Sequence, residues 1–96
     1  MADQPTDQAE EANQVAAATA LLARHNIPAT AREFRLRQEF FRHGWDVRVR
    51  DDGGVWTVRA VKPARPDVAA QGSTEGNVLR LALAQMIGHD AATPSS

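Results

Sequence analysis

Three histidines, three serines and two pairs of adjacent acids are the side chains here that most often do chemistry. His25, His43 and His89 lie far apart along the chain, and there is no cysteine and no HExxH pattern to set metal ligands at helical or loop spacing. Ser73 stands in Gln71-Gly72-Ser73-Thr74-Glu75-Gly76. A nucleophile elbow places glycine two residues before and two after its serine, and those places hold Gln71 and Glu75, so Ser73 reads as a helix cap. The same Gly72 to Gly76 run has the free N–H groups of a helix start, which attract anions, but it lacks the lysine and the spacing of a phosphate loop, and Glu75 repels phosphate. Glu10-Glu11 opens a helix and Asp51-Asp52 makes a turn, so neither pair reads as a buried acid–base dyad. The expectation is a chain that is not an enzyme and uses no cofactor and no metal.

The arginines are the other chemically distinctive set. Residues 1–23 hold four acids and no base, residues 24–65 ten bases and five acids, and residues 66–96 one base and three acids; −4, +5 and −2 sum to the net charge of −1. A basic middle between acidic ends suits an anionic partner, and it equally suits a solvated outer face with local acidic partners. Two groups stand out. Arg32, Arg35 and Arg42 recur on one side of a helix, and Arg48, Arg50 and Arg59 fall on one parity of two strands. Together they form the candidate surface for an anionic partner.

The elements that must carry these residues follow from periodicity and punctuation. A first helix is expected over 8–25, with Asp7 as N-cap and Glu10 completing a capping box. Its apolar face is mostly alanine. Asn26 suits the left-handed C′ position, Ile27 can fold back on Leu22, and Pro28 forbids continuation. A second helix is expected from Thr30, whose Thr30-Ala31-Arg32-Glu33 is another capping box, to Gly44. Phe34, Phe40 and Phe41, the only phenylalanines, all lie on it, which makes it the expected main core helix.

Residues 45–61 read as a β-hairpin. Trp45, Val47 and Val49 alternate with Asp46, Arg48 and Arg50, and Trp56, Val58 and Ala60 share one parity beyond Asp51-Asp52-Gly53-Gly54. With Asp52-Gly53 as the turn, Val49 pairs with Trp56, Val47 with Val58, Trp45 with Ala60, and Asp46 lies across from Arg59. The apolar face is expected to cover the phenylalanine helix. Pro63 and Pro66 make the next stretch a stiff connection, and 67–71 is expected as a short third strand at an edge. The last helix is expected over 75–87, capped by Ser73 or Thr74 and closed by Gly88. Its apolar residues cover more than half its circumference, leaving only Asn77, Arg80 and Ala84 facing outward. Either the first helix packs across and covers this surplus or a second subunit does, and Leu79, Leu83, Met86 and Ile87 are the candidate protein-interaction surface, for another protein or for a second copy.

From Thr30 onward the order helix, strand, strand, short strand, helix resembles the topology of the double-stranded RNA-binding domain. That family implies lysines at the start of the last helix and a histidine in the loop between its first two strands. Here those places hold Thr74-Glu75-Gly76-Asn77 and Asp51-Asp52-Gly53-Gly54, so the resemblance implies the topology without the RNA contacts. No basic-then-apolar leader and no bilayer-length apolar run occur in the sequence, and a cytoplasmic location with no membrane partner is expected.

The expectation is an α+β chain in the order α-α-β-β-(β)-α, with residues 7–89 as one domain between tails at 1–6 and 90–96. Its expected role is a small non-enzymatic protein-interaction or regulatory module, with a protein partner or homodimer. The alternative is a nucleic-acid binder using Arg48, Arg50 and Arg59 on the sheet and Arg32, Arg35 and Arg42 on the helix.

Overall fold

The first helix ends where the sequence tells it to. Asn26 takes φ 66°, its N–H donates to the carbonyl of Ala23 (3.2 Å), and the Ile27 N–H reaches back to Leu22 (3.0 Å). Leu22 and Ile27 are both buried, the apolar contact that closes a Schellman motif. The computed structural model describes the backbone of residues 3–92 and the side chains of residues 9–89. Within it the elements are α1 (Asp3–Arg24), α2 (Glu33–Arg42), β1 (Asp46–Asp52), β2 (Val55–Val61), β3 (Val68–Gly72) and α3 (Glu75–Ala92). The expected α+β order is observed, with β3 formed one residue later than expected.

Three helix boundaries differ from expectation. α1 begins at Asp3, so Asp7 lies within the helix and not at its cap, and the backbone of residues 3–6 is helical where a tail was expected. The Asp7 side chain and residues 1–2 and 93–96 lie outside the described residues. α2 begins at Glu33 and not after Thr30. The Ala31 N–H donates to Pro28 (2.9 Å), forming a turn that holds Thr30 outside the helix. Arg32 takes the cap position in an extended conformation with no side-chain cap bond, so the Thr30 capping box is not formed. α3 continues through Gly88 to Ala92, because nothing at Gly88 adopts the left-handed turn that stops a helix. Its start is as expected, with the Asn77 N–H donating to Thr74 Oγ1 (3.1 Å).

The sheet is antiparallel in the order β1-β2-β3. Val49 pairs with Val58 and Val47 with Ala60, so the two-residue turn is Gly53-Gly54 and not Asp52-Gly53. Both glycines have positive φ, 66° and 94°, as a type I′ turn demands at both central residues. Asp52 in that place would strain its Cβ, and the chain avoids this by moving the turn one residue on. The partner of each β1 residue thereby shifts by two along β2. Inside and outside parities survive the shift, but Asp46 now faces Val61, and the expected Asp46–Arg59 pair does not form.

α3 is the centre of the packing, in contact with α1, α2, β2 and β3. Leu79, Leu83, Met86 and Ile87 are all buried, in one core cluster with Leu22, Leu36, Phe40, Trp45 and Val58. The candidate protein-interaction surface on the last helix is therefore core, covered by the chain's own elements. The strip expected to face outward is half-buried. Asn77 donates to Glu11 of α1 (3.0 Å), Arg80 donates to the carbonyls of Ala29 and Ala31 (3.1 and 2.8 Å), and Ala84 lines a groove with Ala17 and Leu21. α1 docks on the small and polar side of α3, where an alanine face fits closely.

α2 is not the expected all-phenylalanine core helix. It buries Leu36, Glu39 and Phe40, while Phe34 and Phe41 are 73% and 60% exposed, and Trp56 is only half-buried against the core. At 100° per residue Leu36 and Phe40 point one way and Phe34 and Phe41 the other. The sheet's inner face is taken mainly by α3.

Candidate functional site

The outer face of the sheet carries Arg48, Arg50 and Arg59 together, as their parity requires. Arg48 is directly opposite Arg59, and Arg50 opposite Thr57. Like charges directly opposite each other across two strands are unfavourable. Nearby acids relieve the repulsion: Arg59 pairs with Asp67 (2.9 Å) and Arg48 with Asp46 (3.7 Å). Val55 and Val61 are exposed on the same face. The face is open, but two of its three cations have a local counter-charge.

The helix arginines do not form one stripe. Arg35 and Arg42 converge on Glu39, whose Oε2 accepts from Arg35 Nε (3.1 Å) and Arg42 Nη1 (3.0 Å). Arg32 stands apart at the N-cap. Arg37, not singled out in the sequence, pairs with Glu75 at the start of α3. Between Arg37 on one flank and Arg42 and Arg35 on the other lies the outward strip of Phe34, Gln38 and Phe41. The two rings are two helical turns apart, about 10 Å along the axis. Large apolar side chains in this position are what a small folded chain ordinarily hides. The signal was present in the sequence: Phe34 and Phe41 are seven residues apart, half a turn from Leu36 and Phe40.

Beside this strip is a cleft of about 390 Å³ at the C-terminal ends of α1 and α2, lined by His25, Ile27, Arg35, Glu39, Arg42 and His43, with Ile87 in its wall. Glu39 is 3% exposed. His43 Nε2 lies 4.0 Å from Glu39 Oε1. The chain therefore brings two histidines far apart in sequence to one place, which local spacing could not reveal. Among the described residues no group of three or more histidines and acids is arranged to hold a metal ion.

Ser73 has a partner that its sequence context did not show. Glu11 Oε2 accepts from the Ser73 N–H (2.9 Å), the Ser73 hydroxyl (2.9 Å) and Asn77 Nδ2 (3.0 Å). The anion-attracting start of α3 is thus filled by an acid of α1. The Ser73 backbone bond, with the Asn77 and Ser73 side chains, holds the Glu11 carboxyl below the ordinary glutamate value. Thr74, not Ser73, caps the helix.

No family model matches this chain, and no curated protein or solved structure matches it. Among the described residues no helix is long and apolar enough to cross a membrane.

Proposed function

We propose that this chain is a non-enzymatic protein-interaction module whose contact face is the outer side of α2. The observation that carries the reading is the exposure of Phe34 and Phe41 on the side of α2 opposite Leu36 and Phe40. Aromatic rings bordered by arginines are the composition of protein-interface hot spots. The rim of Arg35, Arg37 and Arg42 favours a partner surface that is apolar with an acidic border. It disfavours a second copy of α2, whose own arginines would approach these. The test is recovery of a partner from the native host with the wild-type chain, with Phe34→Ala/Phe41→Ala, and with Arg48→Gln/Arg50→Gln/Arg59→Gln. One protein retained by the wild type and the sheet-face variant, and lost by the α2 variant at unchanged stability, supports the reading. Retention by the α2 variant overturns it.

A second reading, nucleic-acid binding, is favoured by one observation: Arg48, Arg50 and Arg59 share an uncovered sheet face. Binding of this kind falls steeply with salt. It would be abolished by the triple glutamine variant and unaffected by the α2 variant. Asp46 and Asp67 beside two of these arginines place it second.

A further inference from the structure

We infer that the cleft beside α2 receives a carboxylate from the docking partner, so that the segment lying on Phe34 and Phe41 carries an Asp or Glu that reaches over Arg42. The inference rests on the reading of α2 as the contact face and adds a site and a ligand chemistry to it.

Position comes first. Around α2, in 100° steps, the outward strip of Phe41, Phe34 and Gln38 is followed by Arg42, Arg35 and then Glu39 at the cleft. A segment seated on the two rings is one arginine's width from the opening.

Donor capacity comes second. A guanidinium offers five N–H groups in a planar fork suited to a carboxylate. Arg42 gives one hydrogen bond to Glu39 and its side chain remains 70% exposed, so the rest of its fork is accessible. Arg35 uses Nε on Glu39 and reaches the Asn26 carbonyl only at 3.5 Å. Glu39, fixed in the protein interior, holds both guanidiniums in place before any partner arrives. That preorganisation lowers the ordering cost of binding.

Charge and shape come third. Two guanidiniums face one carboxylate, and His25 and His43 stand on the same rim. Ile27 and Ile87, both buried, close the inner end of the cleft. A volume of about 390 Å³ accepts one or two side chains. A phosphate of a nucleic acid would satisfy the same donors; the exposed rings of Phe34 and Phe41 next to them favour a carboxylate carried on an apolar segment.

A library of random 16-residue peptides displayed on phage, selected against the whole chain, tests this, with a mixed-sequence single-stranded oligonucleotide as the second probe. The expected result is enrichment of peptides that combine apolar residues with Asp or Glu, whose binding falls at least tenfold in Arg42→Glu and in Phe34→Ser/Phe41→Ser. Arg42→Gln, which removes charge without reversing it, should give a smaller loss. Peptides without acids, weakened by the Phe changes and indifferent to Arg42→Glu, would overturn the carboxylate pocket and leave the α2 face standing. Peptides indifferent to both changes, or no enrichment at all, would overturn both. Oligonucleotide binding lost in Arg42→Glu, with no acidic peptide enriched, would reassign the cleft to phosphate. Phe34 and Phe41 are exposed, so the serine variant keeps the fold. Arg42→Glu sets a second carboxylate beside the buried Glu39, so each variant is checked by a melting curve, and Arg42→Gln, which leaves Arg35 on Glu39, carries the same comparison if Arg42→Glu is unfolded.

Discussion

Phe40 and Phe41 are neighbours in the chain and opposites in environment: Phe40 is 0% exposed and Phe41 60%. The Phe40 carbonyl also accepts the Trp45 N–H (2.9 Å) at the closing turn of α2, so its ring and its backbone both anchor the helix to the core. Phe40→Ala should cost about 3–5 kcal/mol, enough to unfold most of the population of so small a domain. Phe41→Ala should change stability by no more than about 0.5 kcal/mol. Urea denaturation of the two single variants checks the pair, and equal losses would show that Phe41 packs against the core.

The hairpin offers a local contrast of the same kind. A Cβ added at Gly53 or Gly54 meets nothing within 4 Å, so the cost of Gly→Val there is wholly that of positive φ. Each should lose about 1–2 kcal/mol. Asp52 lies in the paired strand opposite Val55, and Asp52→Ala should be close to neutral. A destabilisation at Asp52 equal to that at Gly54 would place the turn one residue earlier.

That turn shows what the sequence could and could not reveal. Asp-Gly and Gly-Gly both satisfy hairpin chemistry, and parity does not distinguish them because the two registers differ by two residues. The side-chain faces were therefore legible and the pairing was not. Asn26 and Gly44 were legible as helix stops because a left-handed cap is decided within a few residues. Thr30 was not, because Pro28 and Ala31 form a competing turn across it. For Leu79 and Leu83 the surplus of apolar surface was legible, but the choice between cover by the first helix and cover by a second subunit was not, because the cover comes from elements distant in sequence. The cleft was illegible too, since His25 and His43 come to one place only because α1 and α2 both pack on α3.

The connection after β2 holds a strained residue. Pro63 and Ala64 occupy the middle of a turn closed by the Arg65 N–H on Lys62 (3.2 Å), and Ala64 has φ 64°. Such a turn favours glycine at its second central position. Ala64→Gly removes the strain but frees the unfolded chain, and the balance should be a gain of about 0.5 kcal/mol. A thermal melt reads it, and a loss in Ala64→Gly would mean the turn relaxes in solution.

Glu11 links stability to pH. Its carboxyl is held below the ordinary value of 4.5, so the fold favours its charged form. The resulting stabilisation is complete above the unfolded-state value and is lost as pH falls through 4.5 and below it. Glu11→Gln should cost no more than about 0.5 kcal/mol at neutral pH, because solvent screens this largely exposed carboxylate, and the difference from wild type should close as the acid limit is approached. Urea midpoints of both proteins across that range give the curve. A difference independent of pH would show that shape, and not charge, holds α1 at Ser73.

Glu39 makes the sharpest asymmetry. It is 3% exposed, whereas the side chains of Arg35 and Arg42 are 43% and 70% exposed. Removing the carboxylate leaves two cations that water can solvate, so Glu39→Gln should cost about 1 kcal/mol. Removing both cations leaves a buried carboxylate without either guanidinium, with His43 Nε2 4.0 Å away. Arg35→Met/Arg42→Met should therefore cost about 3 kcal/mol or more, because the desolvation of Glu39 loses its compensation. Adding Glu39→Leu to that double variant removes the uncompensated charge and should restore most of the loss. Guanidinium unfolding of the four proteins completes the comparison. If the triple variant is no more stable than the double, the arginines contribute by packing their stems and not by neutralising Glu39.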